Sequence, residues 1–208
     1  MSGRRPWGWH RLDPYWAERV VAGASIRPGD LVVDLGAGTG ALTLPLVDAG
    51  ARVIAVELHA RRARQLREKV SDRDAAVIEC DLEDFVPPGR PFRLVANPPY
   101  ALTAAVLKFV ARASHLTAAD LVLQRAVVQR VVDQDRRHLR RFHATRSLSL
   151  PRHAFVPPPP VDSAVLQLRP RKRYRTPTRP ASDFPIPPAT NIAPLIREGA
   201  GRRGRRRT

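Results

Sequence analysis

Residues 31–40 read Leu-Val-Val-Asp-Leu-Gly-Ala-Gly-Thr-Gly, and this stretch constrains the fold more than any other. Its first half is short, apolar and β-branched, and predicts a buried strand. Its second half predicts a turn in which Gly36, Gly38 and Gly40 let the backbone approach a ligand without side-chain bulk. The alternation repeats downstream. Apolar residues at helical spacing run from Ala41 to Ala49 and stop at Gly50. Arg52–Glu57 predicts a second strand, His59–Ser71 a helix with a basic outer face, and Ala75–Glu79 a third strand. Phe92–Ala96 predicts a fourth strand and Thr103–Ala113 a helix. Ala119–Gln124 predicts a fifth strand, followed by a helix from about Arg125. Ser147–Phe155 and Ser163–Leu168 predict a last pair of strands around a proline-rich turn. Alternating strands and helices imply an α/β fold, a mostly parallel sheet covered by helices on both faces. Ligands of such sheets bind beyond the carboxyl ends of the strands. The glycine turn, Glu57, Asp81 and Asn97 all fall at such ends, which puts four polar features on one rim.

Charge then narrows the partner. The chain carries 36 Lys+Arg against 19 Asp+Glu, a net +17, which favours a polyanion, most often nucleic acid. Arginine makes up 33 of the 36, and a GC-rich genome can by itself favour that composition. Residues 169–208 hold 12 basic and 2 acidic residues. Pro and Arg dominate there without helix or strand periodicity. The expected division is a catalytic domain at 1–169 and a basic, mostly disordered tail at 170–208, whose Arg202–Arg207 run suits phosphate contact or mere solubility. No apolar run approaches the roughly 18 residues of a membrane span, and no apolar stretch follows the basic N-terminus as a secretory signal would require. With Cys80 the single cysteine, a disulfide framework and a multi-thiolate zinc site are excluded. A cytoplasmic protein with no membrane partner is expected.

The rim residues carry definite chemistry. The glycine spacing is G-x-G-x-G, not the G-x-G-x-x-G of dinucleotide-binding turns, and the Gly-Lys-Ser/Thr of a phosphate loop is absent. Glu57 can accept hydrogen bonds from both hydroxyls of a ribose, and Asp81 from an exocyclic adenine amine. Turn-only glycines and solvated strand-end acids are the alternative readings. Asn97-Pro98-Pro99-Tyr100 is more specific. Its prolines cannot donate, so the Asn97 side-chain oxygen and the Pro98 carbonyl can together accept both protons of a planar amino group. Tyr100 offers a face for a base. A rigid strand-to-helix turn is the alternative there. No His/Cys/Asp cluster suggests a metal, and the six histidines (His10, His59, His115, His138, His143 and His153) are not needed as catalytic bases.

These motifs resemble the ribosomal RNA adenine N6-methyltransferases: Asp34–Gly40, Glu57, Asp81, Asn97–Tyr100, and Phe155-Val156-Pro157-Pro158-Pro159-Pro160-Val161-Asp162-Ser163. Within that family the sequence looks most like the erythromycin-resistance (Erm) methylases of 23S rRNA, the short mycobacterial members above all. The resemblance runs from about Gly8 to Arg169. It implies a Rossmann-like methyltransferase fold with a seven-stranded sheet and a reduced or absent C-terminal helical lobe. It implies S-adenosyl-L-methionine as cofactor, with Gly36 and Gly38 flanking its methionine part, Glu57 on its ribose, and Asp81 and Leu82 at its adenine. Asn97, Pro98 and Tyr100 would hold the target adenine, with Asn97 also contacting the cofactor, and Phe155 would stack on the adenine's other face. The implied partner is 23S rRNA, protein-free or precursor, met by a monomer. The implied outcome is resistance to macrolides, lincosamides and streptogramin B.

Two departures stand out. Relatives carry Gln-Asn-Phe-Leu beside the cofactor where this chain has Trp9-His10-Arg11-Leu12, which moves the expected contacts to His10 and Leu12. With nothing after Arg169 resembling the helical lobe, RNA docking is expected on Arg61–Arg67, Arg136–Arg141 and the tail, although both arginine clusters also read as solvated helix faces. Competing readings are a small-subunit rRNA dimethyladenosine transferase, a DNA adenine methyltransferase and a non-catalytic ribosome-assembly factor. Small-subunit enzymes usually have Leu where Pro98 stands and keep the lobe. A DNA enzyme would carry a target-recognition domain. The intact motifs oppose lost catalysis.

Overall fold

A computed structural model describes residues 10–134 and 139–171. Nine strands and five α-helices follow one another there. They are β1 (Arg11–Leu12), α1 (Pro14–Ala24), β2 (Leu31–Leu35), α2 (Thr43–Asp48), β3 (Arg52–Val56), α3 (Ala60–Lys69), β4 (Ala75–Ile78), β5 (Phe92–Ala96), α4 (Thr103–Arg112), β6 (Leu116–Gln124), α5 (Arg125–Asp133), β7 (Phe142–Leu150), β8 (Phe155–Val156) and β9 (Ser163–Pro170). Seven strands form one sheet in the order β4-β3-β2-β5-β6-β9-β7. The pairs from β4 to β6 are parallel, and β9 is antiparallel to both β6 and β7. From β2 the chain steps outward to β3 and β4, then returns to β5 on the other side of β2. The β2/β5 junction is therefore the topological switch point, where open α/β sheets bind their ligands.

Strand alternation sorts the core onto two faces. Leu31, Val33, Leu35, Ile54, Val56, Leu94, Leu121 and Leu166 pack with Val106, Phe109 and Val110 of α4 and Val128 and Val131 of α5. Val32, Val53, Val95, Val122 and Val165 point the other way, onto Ala17, Val20, Val21 and Ala24 of α1 and Leu46 of α2. Ala55 and Val77, on that second face, meet Ala63 and Leu66 of α3. Strands buried on both faces explain why their sequences are near-continuous apolar runs.

Several elements differ from the sequence reading. Helix α1 was not expected, although Asp13 caps it by accepting from the Tyr15 N–H and Pro14 occupies its first position, the usual start signal. The strand expected at Ser147–Phe155 instead spans Phe142–Leu150. Pro151 has no N–H for the ladder and ends it. Phe155–Val156 leaves the large sheet to pair antiparallel with Arg11–Leu12. The Arg169 guanidinium clamps β9 to β6 through both carboxylate oxygens of buried Asp120, at 2.7 and 2.9 Å. Strand β9 reaches Pro170, and the Arg171 N–H still bonds the Arg141 carbonyl. The expected tail beyond Arg171 lies outside the described residues, as do Trp9, Arg136, Arg137 and His138.

Candidate active site at the switch point

The cleft opens where β2 and β5 diverge. Gly36, at φ +76, and Ala37 cross from β2 to β3, both N–H groups donating to the Val56 carbonyl. A Cβ on Gly36 would stand 3.3 Å from Pro99 Cδ and 3.4 Å from Pro98 Cα. The missing side chain is thus what lets the glycine turn and the proline turn touch. Gly38 donates its N–H to Glu57 Oε2 at 2.8 Å, and the His59 N–H reaches Glu57 Oε1 at 2.8 Å. These bonds hold the Glu57 carboxylate, 5 % exposed, at the end of β3. Arg62 lies 3.9 Å from the same carboxylate.

A cleft of about 250 Å³ runs from this point, lined by Gly36, Glu57, Asp81, Leu82 and Pro98 from the expected set. Leu35, Leu58, Pro99 and Leu102 supply apolar wall; Leu58 and Leu102 lie outside the motifs that the sequence singles out. Leu58 is 51 % exposed. Its place directly after the strand-end acid was the available signal. Asp81 is held by its own turn, Oδ1 accepting from the Glu83 N–H at 2.9 Å. Cys80 also faces the cleft, but burial, with Asp81 and Asp84 nearby, pushes its thiol up to about 12. It stays protonated and is no nucleophile.

Asn97 lies on the far side of Gly36, in a small hollow shared with Arg11, Asp34 and Thr39. Its side-chain Nδ2 donates to the His10 carbonyl at 3.0 Å. Because a carbonyl can only accept, this bond orients the amide and leaves Oδ1 as the available acceptor. The Tyr100 hydroxyl lies 2.6 Å from Ser163 Oγ, and burial raises the phenol's pKa against that hydrogen bond. The ring is thereby held at the start of the turn into α4. Buried Asp34 accepts from the Thr43 hydroxyl at 2.7 Å. Its carboxyl is raised from 3.8 to about 7, chiefly by burial, with Glu57's charge adding and Thr43 opposing.

Three expected roles change. His10 does not face the cofactor cleft. Its ring Nδ1 is 2.8 Å from the Pro157 carbonyl, and the ring centroid is 5.7 Å from that of Tyr100. It ties the N-terminal strand to the acceptor side. Leu12 packs its side chain into the core with α1, because β1 turns it inward opposite Phe155, and it borders a space that Arg11 and Thr39 also line. Phe155 is only 1 % exposed and packs in that same core, leaving no open ring face for a base. Among the expected RNA-docking arginines, Arg61, Arg64 and Arg67 are exposed on α3, with Arg67 near Glu79. Arg141 is not a solvated cation: it donates to the Val110, Ala113 and Ser114 carbonyls at the end of α4. Among the described residues no helix is long and apolar enough to cross a membrane.

Comparison with known proteins places this geometry. A family model described as ribosomal RNA adenine dimethylase matches residues 11–182. A ribosomal RNA small subunit methyltransferase A of Cupriavidus taiwanensis is 32 % identical over 74 % of this chain and 61 % of its own length. The protein of the same name from Tolumonas auensis is 31 % identical over 92 % of this chain and 74 % of its own. The crystal structure of the 23S rRNA methyltransferase ErmE is 31 % identical and superposes with a TM-score of 0.72, over 77 % of this chain and 70 % of that one. The chain spans 61 %, 74 % and 60 % of the first three curated relatives it matches. The sheet order, the paired turns at the switch point and these matches lead to one conclusion: the chain belongs to the ribosomal RNA adenine dimethylase family.

Proposed function

We propose that this chain transfers methyl groups from S-adenosyl-L-methionine to N6 of an adenine in 23S rRNA. The observation that carries the chemistry is the orientation of Asn97, whose amide nitrogen is spent on the His10 carbonyl. Its oxygen and the Pro98 carbonyl then suit the two protons of an adenine amino group. The cleft fits the cofactor's adenosine half: a buried carboxylate, Glu57, for ribose hydroxyls, apolar Leu35, Leu58 and Leu82 for a base, and Asp81 for an amine. When bound, S-adenosylmethionine supplies an electrophilic methyl on a cationic sulfonium.

Adenine N6 is a weak nucleophile because its lone pair is delocalised into the ring. Two acceptors, Asn97 Oδ1 and the Pro98 carbonyl, favour the localised pair and aim it. This is positioning and electrostatic assistance, worth several kcal/mol without a strong base. Tyr100, steadied by Ser163, offers the stacking face that offsets removal of the base from its RNA context. With Phe155 buried, the second face of the base is left to the His10 and Pro157 side of the site.

Support for 23S rRNA comes from Pro98, where small-subunit enzymes usually carry Leu, and from the likeness to ErmE. The curated small-subunit relatives favour a second reading, methylation of 16S rRNA. Incubation with labelled S-adenosylmethionine and, separately, protein-free 23S and 16S rRNA decides between them once the label is mapped. Label on a 23S adenine is expected. Label on 16S rRNA alone overturns the 23S assignment.

A further inference from the structure

We infer that Arg11 is the anchor for the carboxylate at the methionine end of the cofactor. The inference rests on reading the cleft as the S-adenosylmethionine site. Arg11 stands where relatives carry Phe in their Gln-Asn-Phe-Leu segment, so the resemblance gives it no role.

Gly36 borders two spaces. On one side lies the cleft with Glu57 and Asp81, and on the other the small hollow with Arg11, Asp34, Thr39 and Asn97. A ligand whose ribose meets Glu57 and whose reactive centre faces Asn97 must pass Gly36, and its remaining end then enters the Arg11 side. That end is a zwitterion, an ammonium beside a carboxylate. The hollow is lined by Arg11, whose guanidinium suits the carboxylate, and by Asp34 near the end of β2, a buried carboxyl that accepts from the Thr43 hydroxyl. In the adenosine cleft the arginine of the wall, Arg62, already lies 3.9 Å from the Glu57 carboxylate, whereas Arg11 faces the hollow.

The state of the Arg11 side chain supports the assignment. Among the described residues its guanidinium makes no hydrogen bond or ion pair. Other half-buried arginines are spent: Arg93 on the Ala24 carbonyl and Asp30, and Arg169 on Asp120. A half-buried cation without a partner is costly unless something anionic joins it. The backbone of Arg11 is meanwhile firmly placed, paired with Val156, and the carbonyl before it holds Asn97. A wider space of about 230 Å³ adjoins the hollow and shares Arg11, Thr39 and Ala41 as its wall, which gives the long side chain room to reorient. Guanidinium is suited to this task because its fork matches a carboxylate in a bidentate pair.

Two ligands differing only in the carboxylate test the inference: S-adenosylmethionine and decarboxylated S-adenosylmethionine. Their affinities for the full-length protein, for Arg11→Ala and for Arg11→Lys are measured by calorimetry. The unaltered protein is expected to prefer the carboxylated ligand. Arg11→Ala is expected to weaken S-adenosylmethionine about tenfold or more, the size of a lost charge-assisted bond, and to leave the decarboxylated ligand within about twofold. Arg11→Lys is expected to recover part of the loss. An intact affinity for the decarboxylated ligand also reports an intact fold. Equal weakening of both ligands, or of neither, overturns the assignment of Arg11. Failure of the unaltered protein to bind either ligand overturns the cofactor reading itself, a distinguishable result.

Discussion

Replacing Asp34 with asparagine isolates the energetic consequence of a carboxyl buried beside the glycine turn. Asp34 is 1 % exposed, and its carboxyl titrates near 7 in the folded chain against 3.8 ordinarily. The folded state therefore holds this proton more tightly than the unfolded state. Below pH 3.8 both states are protonated and the associated stability is fully present. Between 3.8 and 7 the unfolded chain loses the proton while the folded chain keeps it, so stability falls with rising pH. Above 7 both are ionised, and the full loss, a three-unit shift, is about 4 kcal/mol. Asp34→Asn cannot titrate, yet its side-chain oxygen can still accept the Thr43 hydroxyl. Every pH-dependent group not coupled to Asp34 is common to both proteins and cancels in the difference. Urea unfolding followed by circular dichroism at several pH values from 4.5 to 8 measures it. The variant should gain on the parent by about 3 kcal/mol across that range, most steeply below pH 7. A difference flat to within about 0.5 kcal/mol would refute the reasoning, because it would mean that Asp34 is ionised equally in the folded and unfolded states.

Other perturbations reach different parts of the molecule. Gly40→Ala forces a side chain at φ +95 with its Cβ 2.6 Å from Leu66 Cδ1. A loss of about 2 kcal/mol in thermal or urea unfolding is expected, and an unchanged midpoint would show that α3 yields freely. Asn97→Ala should reduce methyl transfer at least a hundredfold while S-adenosylmethionine affinity changes little, as transfer assays and calorimetry can report; retained transfer would remove Asn97 from the acceptor role. Removal of residues 172–208 should weaken RNA binding and flatten its dependence on salt, since phosphate contacts set that slope. An unchanged slope would leave the basic tail without a part in RNA binding.

Much of the site was legible along the chain because it is built at strand ends. A strand announces itself by local apolar character, and its carboxyl end is where a glycine turn, an acid or a proline turn stands next. Gly36, Glu57, Asp81, Leu82 and Pro98 accordingly line one cleft. Leu58 was missed because its signal lies in its position directly after Glu57 and not in its residue type. Phe155 was expected as a stacking face because the family resemblance implied it. Its burial comes from pairing with β1, a partner with a sequence separation too large for any local pattern to reveal.

The sequence by itself determined the alternation of elements, the chemical identity of the rim and the family motifs, because these depend on residue period and on neighbours a few positions apart. Tertiary structure alone decided which ends meet. It set β2 beside β5, so that a glycine turn and a proline turn touch through Gly36. It brought His10 to the Pro157 carbonyl across 147 positions and to the Asn97 amide across 87. That pairing aims Asn97 into the hollow that Arg11 also lines. Such contacts arise from packing two faces of one sheet around a continuous core. Local propensity carries no record of them, because it depends only on residues close along the chain.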